Sequence, residues 1–439
     1  MSSDTTMAAS SPVGSLLGFI DAAPTPYHAV HHAASTLRAA GFEPLARTEA
    51  WPAGAGRWYV AEGGALIAWA TTEGPAPETP FRIVGAHTDS PNLRIKARPD
   101  TGRAGWRQIG VEVYGGALVN SWLDRDLGLA GRLTARDAGA PMGYSTHLVH
   151  IDRPLLRVPQ LAIHLDREIN EKGLNLNRQQ HLVPVWGLGV PEPGELGELV
   201  ATEAGVDPAA VLGWDLMLHD VTPSTVAGVD SDLIFAPRLD NLFSCFAGIE
   251  ALIAAADAEP AGVVPVVSLF DHEEVGSTSA SGAAGTLLSQ VLEHQLVARG
   301  GDRADLLRSL AGSVCASADM AHATHPNYVE RHEPDHHIVL NGGPVLKINA
   351  NHRYASDAGS VAAFQLACDA AEVPCQRYIH RTDLACGSTI GPVTAAGLAI
   401  PTVDVGVAQL SMHSVRELAG ADDLVRMVDA LGAFLAPSR

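Results

Sequence analysis

The chain is poor in cysteine, in basic residues and in long apolar runs, and each shortage excludes a class of protein. Its five cysteines are an odd number without a Cys-x-x-Cys pair, so we expect a reducing compartment rather than a disulfide framework. Lysine and arginine make up 29 of the 439 residues against 49 acidic ones, and the formal net charge of −20 argues against nucleic-acid binding. No apolar run approaches the roughly 20 residues that cross a bilayer, and the N-terminus lacks the basic segment of a signal peptide. We therefore expect a cytoplasmic protein that binds neither nucleic acid nor a membrane.

Apolar residues are plentiful: they form 46% of the chain, and 18% is charged, as in a well-packed globular protein. The length allows two domains and a large core. Strand-like runs alternate with helix-like segments in residues 1–99 and 237–439, whereas residues 100–236 are rich in glycine, proline and short strand-like pieces. We expect a discontinuous α/β domain formed by residues 1–99 and 237–439, interrupted by a β-rich domain at residues 100–236.

The α/β domain is organised around the apolar run at residues 263–270. Its β-branched residues show no alternation, which predicts a buried parallel strand. Directly after it come Asp271, His272, Glu273 and Glu274, at the strand end where open α/β sheets bind ligands. Neighbouring carboxylates repel each other unless a cation or a shared proton separates their roles. The simplest arrangement has one glutamate on a metal ion and the other acting as a base, although an acidic surface turn is the alternative.

Other polar residues follow apolar runs or begin a helix in the same way, namely His87, Asp89, Asp240, Asp319 and His413. Parallel strands bring their carboxyl ends to one edge of a sheet, so such residues can converge there. Imidazole and carboxylate ligands without cysteine suit Zn²⁺, and also Mn²⁺ or Co²⁺. The set is too large for one tetrahedral ion and suits two ions about 3.5–4 Å apart that share a bridging carboxylate. Asp240 alone could simply cap its helix, but helix capping does not explain the whole set.

Five stretches occur in order across nearly the whole chain: Gly-Ala-His-Thr-Asp-Ser-Pro from Gly85, Arg-Leu-Asp-Asn-Leu from Arg238, Asp-His-Glu-Glu-Val-Gly-Ser from Asp271, Ser-Ala-Asp-Met-Ala-His from Ser317 and Met-His-Ser from Met412. These motifs resemble those of the aspartyl aminopeptidase (M18) family of metallopeptidases. The resemblance implies a three-layer di-zinc peptidase domain with a mixed, mostly parallel sheet and an inserted β-rich dimerisation domain. It also implies a homo-oligomer, a dodecamer built from dimers.

The resemblance further implies roles for individual residues. Two zinc ions would be held by His87, Asp240, Glu274, Asp319 and His413, with Asp240 as the bridge. Glu273 would be the general base that takes a proton from a metal-activated water, and Asp89 would accept the second ring N–H of His87 and orient the imidazole. His164 is an alternative ligand, with His87 and His413, in a three-histidine scheme.

Three residues are implied in substrate binding. Lys347 would bind the side-chain carboxylate of the substrate and so favour N-terminal Asp or Glu, although its apolar neighbours alone would also fit a strand lysine whose ammonium reaches solvent. His164 would reach the active site of a neighbouring subunit and stabilise the oxyanion of the transition state, whereas by itself it would be a core or interface histidine. His322 would line the pocket.

Small departures from the family pattern remove none of these residues: Gln160 stands where the family often has histidine, and His272 stands where asparagine is common. We expect a zinc-dependent aminopeptidase that removes N-terminal acidic residues from peptides with a free N-terminus. The alternatives are a neutral aminopeptidase of broader specificity in the same family and a non-catalytic oligomeric scaffold that binds metal.

Overall fold

The computed structural model describes residues 11–72, 78–260 and 262–437. The described strands, β1 to β20 in chain order, are Glu43–Pro44, Gly56–Glu62, Ala65–Thr71, Phe81–His87, Asn92–Arg103, Trp106–Tyr114, Leu127–Arg136, Tyr144–Leu156, Val185–Leu188, Val211–Asp220, Thr225–Ala227, Leu233–Ala236, Val264–Phe270, Val314–Ala318, Ala321–His322, Val345–Ile348, Gln376–Ile379, Thr402–Gly406, Ala408–Leu410 and Glu417–Gly420. The α-helices, α1 to α10, are Pro12–Ala22, Pro26–Ala39, Ile169–Lys172, Glu195–Glu203, Leu239–Asp257, Leu287–Ala298, Arg303–Ala311, Ala358–Ala370, Ile390–Leu398 and Asp423–Leu435.

The chain divides into two compact units. The first comprises Met1–Asp89, Ser224–Met412 and Glu417–Arg439, and the second comprises Ser90–Pro223 with His413–Arg416. These boundaries differ from those expected at 99/100 and 236/237 because of strand pairing. Strand β5 pairs with β6 and β10 inside the second unit, whereas β11 and β12 pair within a sheet of the first. The catalytic and dimerisation roles of the two units stay predictions.

The main sheet of the first unit has nine strands in the order β1-β2-β3-β13-β4-β14-β18-β16-β17. Its central strands β13, β4, β14 and β18 run parallel, and β3 and β16 pair antiparallel with their inner neighbours. The predicted strand at residues 263–270 is confirmed as β13, in which every residue is buried. The sheet is therefore mixed and mostly parallel at its centre, as expected for this α/β fold.

Helices cover both faces of this sheet. Alternate residues of β13 point into different apolar clusters: Val267 and Leu269 into one, and Val266 and Phe270 into the other. The first cluster includes buried residues of α1, α2, α5, α8 and α10, and the second includes residues of α6, α7 and α9. This gives the three layers of helices, sheet and helices.

Helix α5 is the longest helix in the described part of the chain and lies in the core of the first unit. By length and composition alone it could cross a membrane, but 83% of its most apolar window is buried among the other elements. An apolar helix buried in this way is what the core of a large α/β domain requires, since a helix that is apolar all round must be covered all round.

A smaller sheet of the first unit has the order β11-β12-β20-β19-β15. The second unit contains a six-stranded sheet in the order β8-β7-β10-β5-β6-β9, and its described strand pairs are antiparallel. One face of the six-stranded sheet packs on an apolar core that includes Leu129, Ile151 and Leu218, together with Leu196 and Val200 of α4. The β-rich character expected for the inserted segment is confirmed.

Candidate metal centre

The residues expected to form a site lie where neighbouring strands of the nine-stranded sheet end. Strand β4 ends at His87, which is paired in register with Phe270 at the end of the parallel strand β13. Strand β14 lies on the other side of β4 and ends one residue before Asp319. Helix α5 begins with Leu239 and Asp240. The parallel strands therefore bring these side chains to one edge of the sheet, as the sequence predicts.

Three of the predicted ligands form a tight buried group. Nε2 of His87 lies 3.3 Å from Oδ1 of Asp240 and 3.4 Å from Oδ1 of Asp319. The ligand atoms of all three residues lie within 4.8 Å of one another, and all three residues are buried. Nδ1 of His87 lies 3.0 Å from the backbone carbonyl oxygen of Asp89, to which the ring N–H can donate. This tautomer directs the lone pair of Nε2 towards the two carboxylates.

These residues fit a zinc ion. Zinc binds imidazole nitrogen and carboxylate oxygen at about 2.0–2.2 Å, and in tetrahedral geometry two such ligand atoms are about 3.4 Å apart. The observed separations of 3.3 and 3.4 Å match this spacing. Without a metal ion or a proton on Nε2, a nitrogen lone pair and two carboxylate oxygens would face one another in a buried place, which costs free energy.

The electrostatics of His87 also indicate that the group stabilises positive charge. Burial lowers the pKa of His87, but hydrogen bonding to Asp240, Asp319 and Asp89 outweighs this effect and raises the pKa well above its usual value. A proton on His87 is thus strongly held by the carboxylates around it. A metal ion would supply the same positive charge to the same oxygens.

Asp89 connects the end of β4 to the turn that follows β13. Its two carboxylate oxygens accept the backbone N–H groups of Glu273 and Glu274, at 3.0 and 3.1 Å. The carboxylate lies farther from Nδ1 of His87, at 3.5 Å, than the carbonyl oxygen of the same residue does. Asp89 therefore fixes the imidazole mainly through its backbone and fixes the glutamate turn through its side chain. Its predicted orienting role agrees with these contacts and stays a prediction.

Glu273 and Glu274 lie on a single 3-10 turn, Glu273–Val275, directly after β13. Burial raises the pKa of Glu273 to about 8; the charge of His87 opposes the rise, and Asp319, Asp240 and Asp89 add to it. A carboxyl group with a pKa near neutrality can both accept and return a proton at physiological pH, as a general base must.

Lys347 is 2% exposed and contacts the same group from β16, which is separated from β14 by β18. Its ammonium lies 3.3 Å from Oδ2 of Asp319, donates to the carbonyl oxygen of Met320 at 3.1 Å and lies 5.2 Å from the ring centre of Tyr354. The lysine is therefore not a strand residue that reaches solvent. Its positive charge faces Oδ2 of Asp319, which is a predicted zinc ligand. The proposed contact of Lys347 with the substrate stays a prediction.

His322 ends β15 and lines a cavity of about 230 Å³ together with His325, Arg331, Tyr378 and His380. Burial lowers the pKa of His322 to about 4, and the charges of Lys347 and His380 lower it further. His322 is therefore neutral at physiological pH and can offer one N–H donor to a bound molecule.

Sequence reasoning missed one acidic contact of this site. Oε2 of the buried Glu417, in β20, accepts the backbone N–H of Asp240 at 2.9 Å and so holds the start of α5 in place. Glu417 comes from the five-stranded sheet, and its only sequence signal is its place four residues after His413. Tyr354, beside Lys347, was likewise missed, although it belongs to the Asn-His-Arg-Tyr stretch that follows β16.

Two predicted residues belong to the second unit. His164 is exposed, in a turn between β8 and α3. His413 has a left-handed backbone, with φ of 66°, and its Nδ1 lies 3.2 Å from the carbonyl oxygen of Gly116. An N–H donated to that carbonyl oxygen would leave Nε2 as the metal-binding nitrogen, as in many zinc sites. The proposed roles of both histidines stay predictions.

Comparison with known proteins gives consistent matches over the whole chain. Residues 19–435 match the family model described as Aminopeptidase I zinc metalloprotease (M18). The "Probable M18 family aminopeptidase 2" of Streptomyces coelicolor is 55% identical over 424 residues, which cover 96% of this chain and 97% of that relative.

Solved structures agree with the sequence matches. A chain of the cryo-EM structure of the Ape4 and Nbr1 complex is 36% identical with a TM-score of 0.92, over 99% of this chain and 87% of that chain. The structure of the S. cerevisiae mApe1 dodecamer is 30% identical with a TM-score of 0.84, over 96% of this chain and 95% of that chain.

Proposed function

We propose that this chain, which belongs to the M18 family of zinc aminopeptidases, removes N-terminal Asp and Glu residues from peptides. The family membership is shown by the family model and the relatives, and the preference for acidic residues is the proposal. Membership makes the chain a metallopeptidase, a hydrolase. The observation that supports a working active site is the buried group of His87, Asp240 and Asp319, with Glu273 beside it. The preference for acidic residues is the part that rests on Lys347.

His87, Asp240 and Asp319 would hold a zinc ion, and a second ion would use the further ligands that the sequence predicts. Zinc bound there would lower the pKa of a water molecule and polarise the scissile carbonyl group. Glu273 would take a proton from the attacking water and return it to the leaving amine, a role for which its buried place beside the metal group is suited. The carboxylate of Asp89 holds Glu273 in position by accepting the backbone N–H of Glu273.

The proposed preference for acidic residues follows from charge. The net charge of −20 and the carboxylates of the site would repel an acidic substrate unless a local cation attracted it. Lys347 supplies a buried ammonium at the metal group, and His322 supplies a neutral donor. Together they would donate to a side-chain carboxylate, whereas an aliphatic side chain could accept neither contact.

The chain would act as a homo-oligomer in the cytoplasm. The dodecameric state of the S. cerevisiae relative supports a dodecamer built from dimers. In such an assembly the exposed His164 would be available to the active site of a neighbouring subunit. All five cysteines are free, which supports a reducing compartment.

The test is hydrolysis of Asp-, Glu-, Leu- and Ala-p-nitroanilide by purified protein. Each substrate is measured with Zn²⁺, Mn²⁺ or Co²⁺ and again after chelation. We expect metal-dependent cleavage in which kcat/KM for the Asp and Glu substrates is far above that for the Leu and Ala substrates. A preference for Leu would replace the proposal by the neutral aminopeptidase, and no cleavage by protein shown to contain metal would favour the non-catalytic scaffold.

A further inference from the structure

A second group of metal-ligating side chains lies on the six-stranded sheet of the second unit. His150 and Asp152 are on β8, and His219 is on β10. Their ligand atoms lie within 4.8 Å of one another. We infer that these three residues bind one transition-metal ion of the zinc class, at a site that shares no residue with the group around His87. The inference does not depend on the proposed peptidase activity.

The two histidines can meet only because of the strand between them. Strands β8 and β10 both pair with β7, so the histidine backbones are two strand spacings apart across the sheet, about 9–10 Å, and are also offset by two residues along it. Side chains on that face of β7 must be small for the two rings to approach each other. Gly128 pairs with His219, and Ala130 pairs with His150, so β7 carries the two smallest residues at these positions.

The imidazole of His219 lies close against the backbone of Gly128. A Cβ atom at this position would lie 2.5 Å from Nε2 of His219 and 2.5 Å from the carbonyl oxygen of Ile151. The imidazole of His219 therefore occupies the space above the glycine. In that place its ring centre lies 5.2 Å from that of His150, with the two ring planes at 61°.

The donor set has the chemistry of a zinc-class site. His219 is 4% exposed, and its Nδ1 lies 3.3 Å from the carbonyl oxygen of Asp220, which favours Nε2 as the metal-binding nitrogen. Nε2 of His150 is buried as well. Two imidazoles and a carboxylate without cysteine suit Zn²⁺, Co²⁺, Ni²⁺ or Cu²⁺ rather than Mg²⁺ or Ca²⁺.

Asp152 makes the site accessible from solvent. It lies two residues after His150 on the same face of β8, opposite the face on which Ile151 enters the core, and it is exposed. Three protein ligands with an exposed carboxylate leave a fourth position for water, so the ion would exchange with solution. A bound ion would also join β8 to β10 across β7 and stabilise the second unit by mass action.

The test compares metal content between the full-length protein and three variants. Each protein is treated with a chelator to remove its metal and is then dialysed against Zn²⁺. The zinc content per chain is measured by elemental mass spectrometry. We expect His219→Gln to contain one zinc equivalent per chain less than the wild type, and Asp152→Asn to bind that equivalent more weakly in competition with a chelating indicator. His147→Gln is the matched control, because His147 is on the same strand but is hydrogen-bonded to Ser145 at 3.0 Å. It should keep the wild-type zinc content.

Copper gives a second measurement on the same proteins. The other metal sites of the wild type, Asp152→Asn and His147→Gln are first filled with zinc. One equivalent of Cu²⁺ per chain is then added to each protein, and its electron paramagnetic resonance spectrum is recorded. We expect coupling to two imidazole nitrogens in the wild type and in His147→Gln, and an altered spectrum in Asp152→Asn. Equal zinc content and equal zinc affinity in all four proteins would overturn the inference. Because Asp152 is exposed, its variant keeps the test valid even if replacement of the buried His219 prevents folding.

Discussion

Replacing Lys347 with methionine tests how the chain would recognise an acidic substrate. Methionine has nearly the same length and no charge, so it fills the buried space of a lysine that is 2% exposed. The change removes the ammonium that lies 3.3 Å from Oδ2 of Asp319 and donates to the carbonyl oxygen of Met320 at 3.1 Å. It would also remove the proposed contact with the carboxylate of the substrate.

The two losses affect substrates differently. A hydrogen bond to a charged group contributes about 1.5–3 kcal/mol. The lost contact with Asp319 weakens the metal group for every substrate and lowers kcat/KM for Asp- and Leu-p-nitroanilide alike. The lost contact with the substrate carboxylate affects only the acidic substrate. Since each 1.4 kcal/mol is a factor of ten, the Asp/Leu ratio of kcat/KM should fall by about 10–150-fold.

The assay is steady-state hydrolysis of both substrates by the variant and the wild type at equal zinc content. Lys172→Met is the matched control, because Lys172 is an exposed lysine paired with Glu168 on α3, and its Asp/Leu ratio should match the wild type. An unchanged ratio in a folded, zinc-loaded Lys347→Met protein would refute the role of Lys347 in specificity. A drop in both rates without a change of ratio would leave Lys347 as a positioning residue for Asp319.

Three further predictions concern the base, pH and the core. Glu273→Gln should lower kcat by about 10²–10⁴-fold without loss of zinc, and an unchanged kcat would show that Glu273 is not the base. Burial raises the pKa of Asp423 to about 6, so the folded state holds its proton more tightly than the unfolded state does. The contribution of Asp423 to the unfolding free energy should therefore fall by about 3 kcal/mol as pH rises from about 4 to about 6, and should be level above that. Urea denaturation of the wild type and Asp423→Asn measures this difference, and parallel pH curves would contradict it. Phe243→Ala, at a fully buried position of α5, should lower the unfolding free energy by about 3–5 kcal/mol. The exposed Val425→Ala should change it by about 0.5 kcal/mol at most, and equal losses in the two variants would contradict the packing of α5.

The positions of the site residues were predictable because they depend on strand ends. An unbroken apolar run such as residues 263–270 is typical of a strand buried on both faces, and its last residue marks the sheet edge. The same rule places His87 at the end of β4 and Asp319 directly after β14, and Nε2 of His87 lies 3.3 Å from Asp240 and 3.4 Å from Asp319. Local pattern therefore predicted that His87, Asp240 and Asp319 lie together, whereas their roles as ligands stay predictions.

Contacts that depend on pairing between distant strands were not predictable from local pattern. Glu417 reaches the backbone of Asp240 only because β20 pairs with β12, which precedes α5 by two residues. The charge of Lys347 meets Asp319 because β16 pairs with β18, and β18 pairs with β14. The limits of the compact units differ from the predicted domain boundaries for the same reason, since β5, β11 and β12 carry no signal for the sheet that they join.

The most direct test of the central claim is anomalous X-ray diffraction at the zinc edge from crystals of the full chain grown with zinc. We predict an anomalous peak bonded to Nε2 of His87 and to the carboxylates of Asp240 and Asp319, in protein that cleaves Asp-p-nitroanilide. An active, zinc-containing crystal with no anomalous peak among these three residues would contradict the assignment of the metal centre.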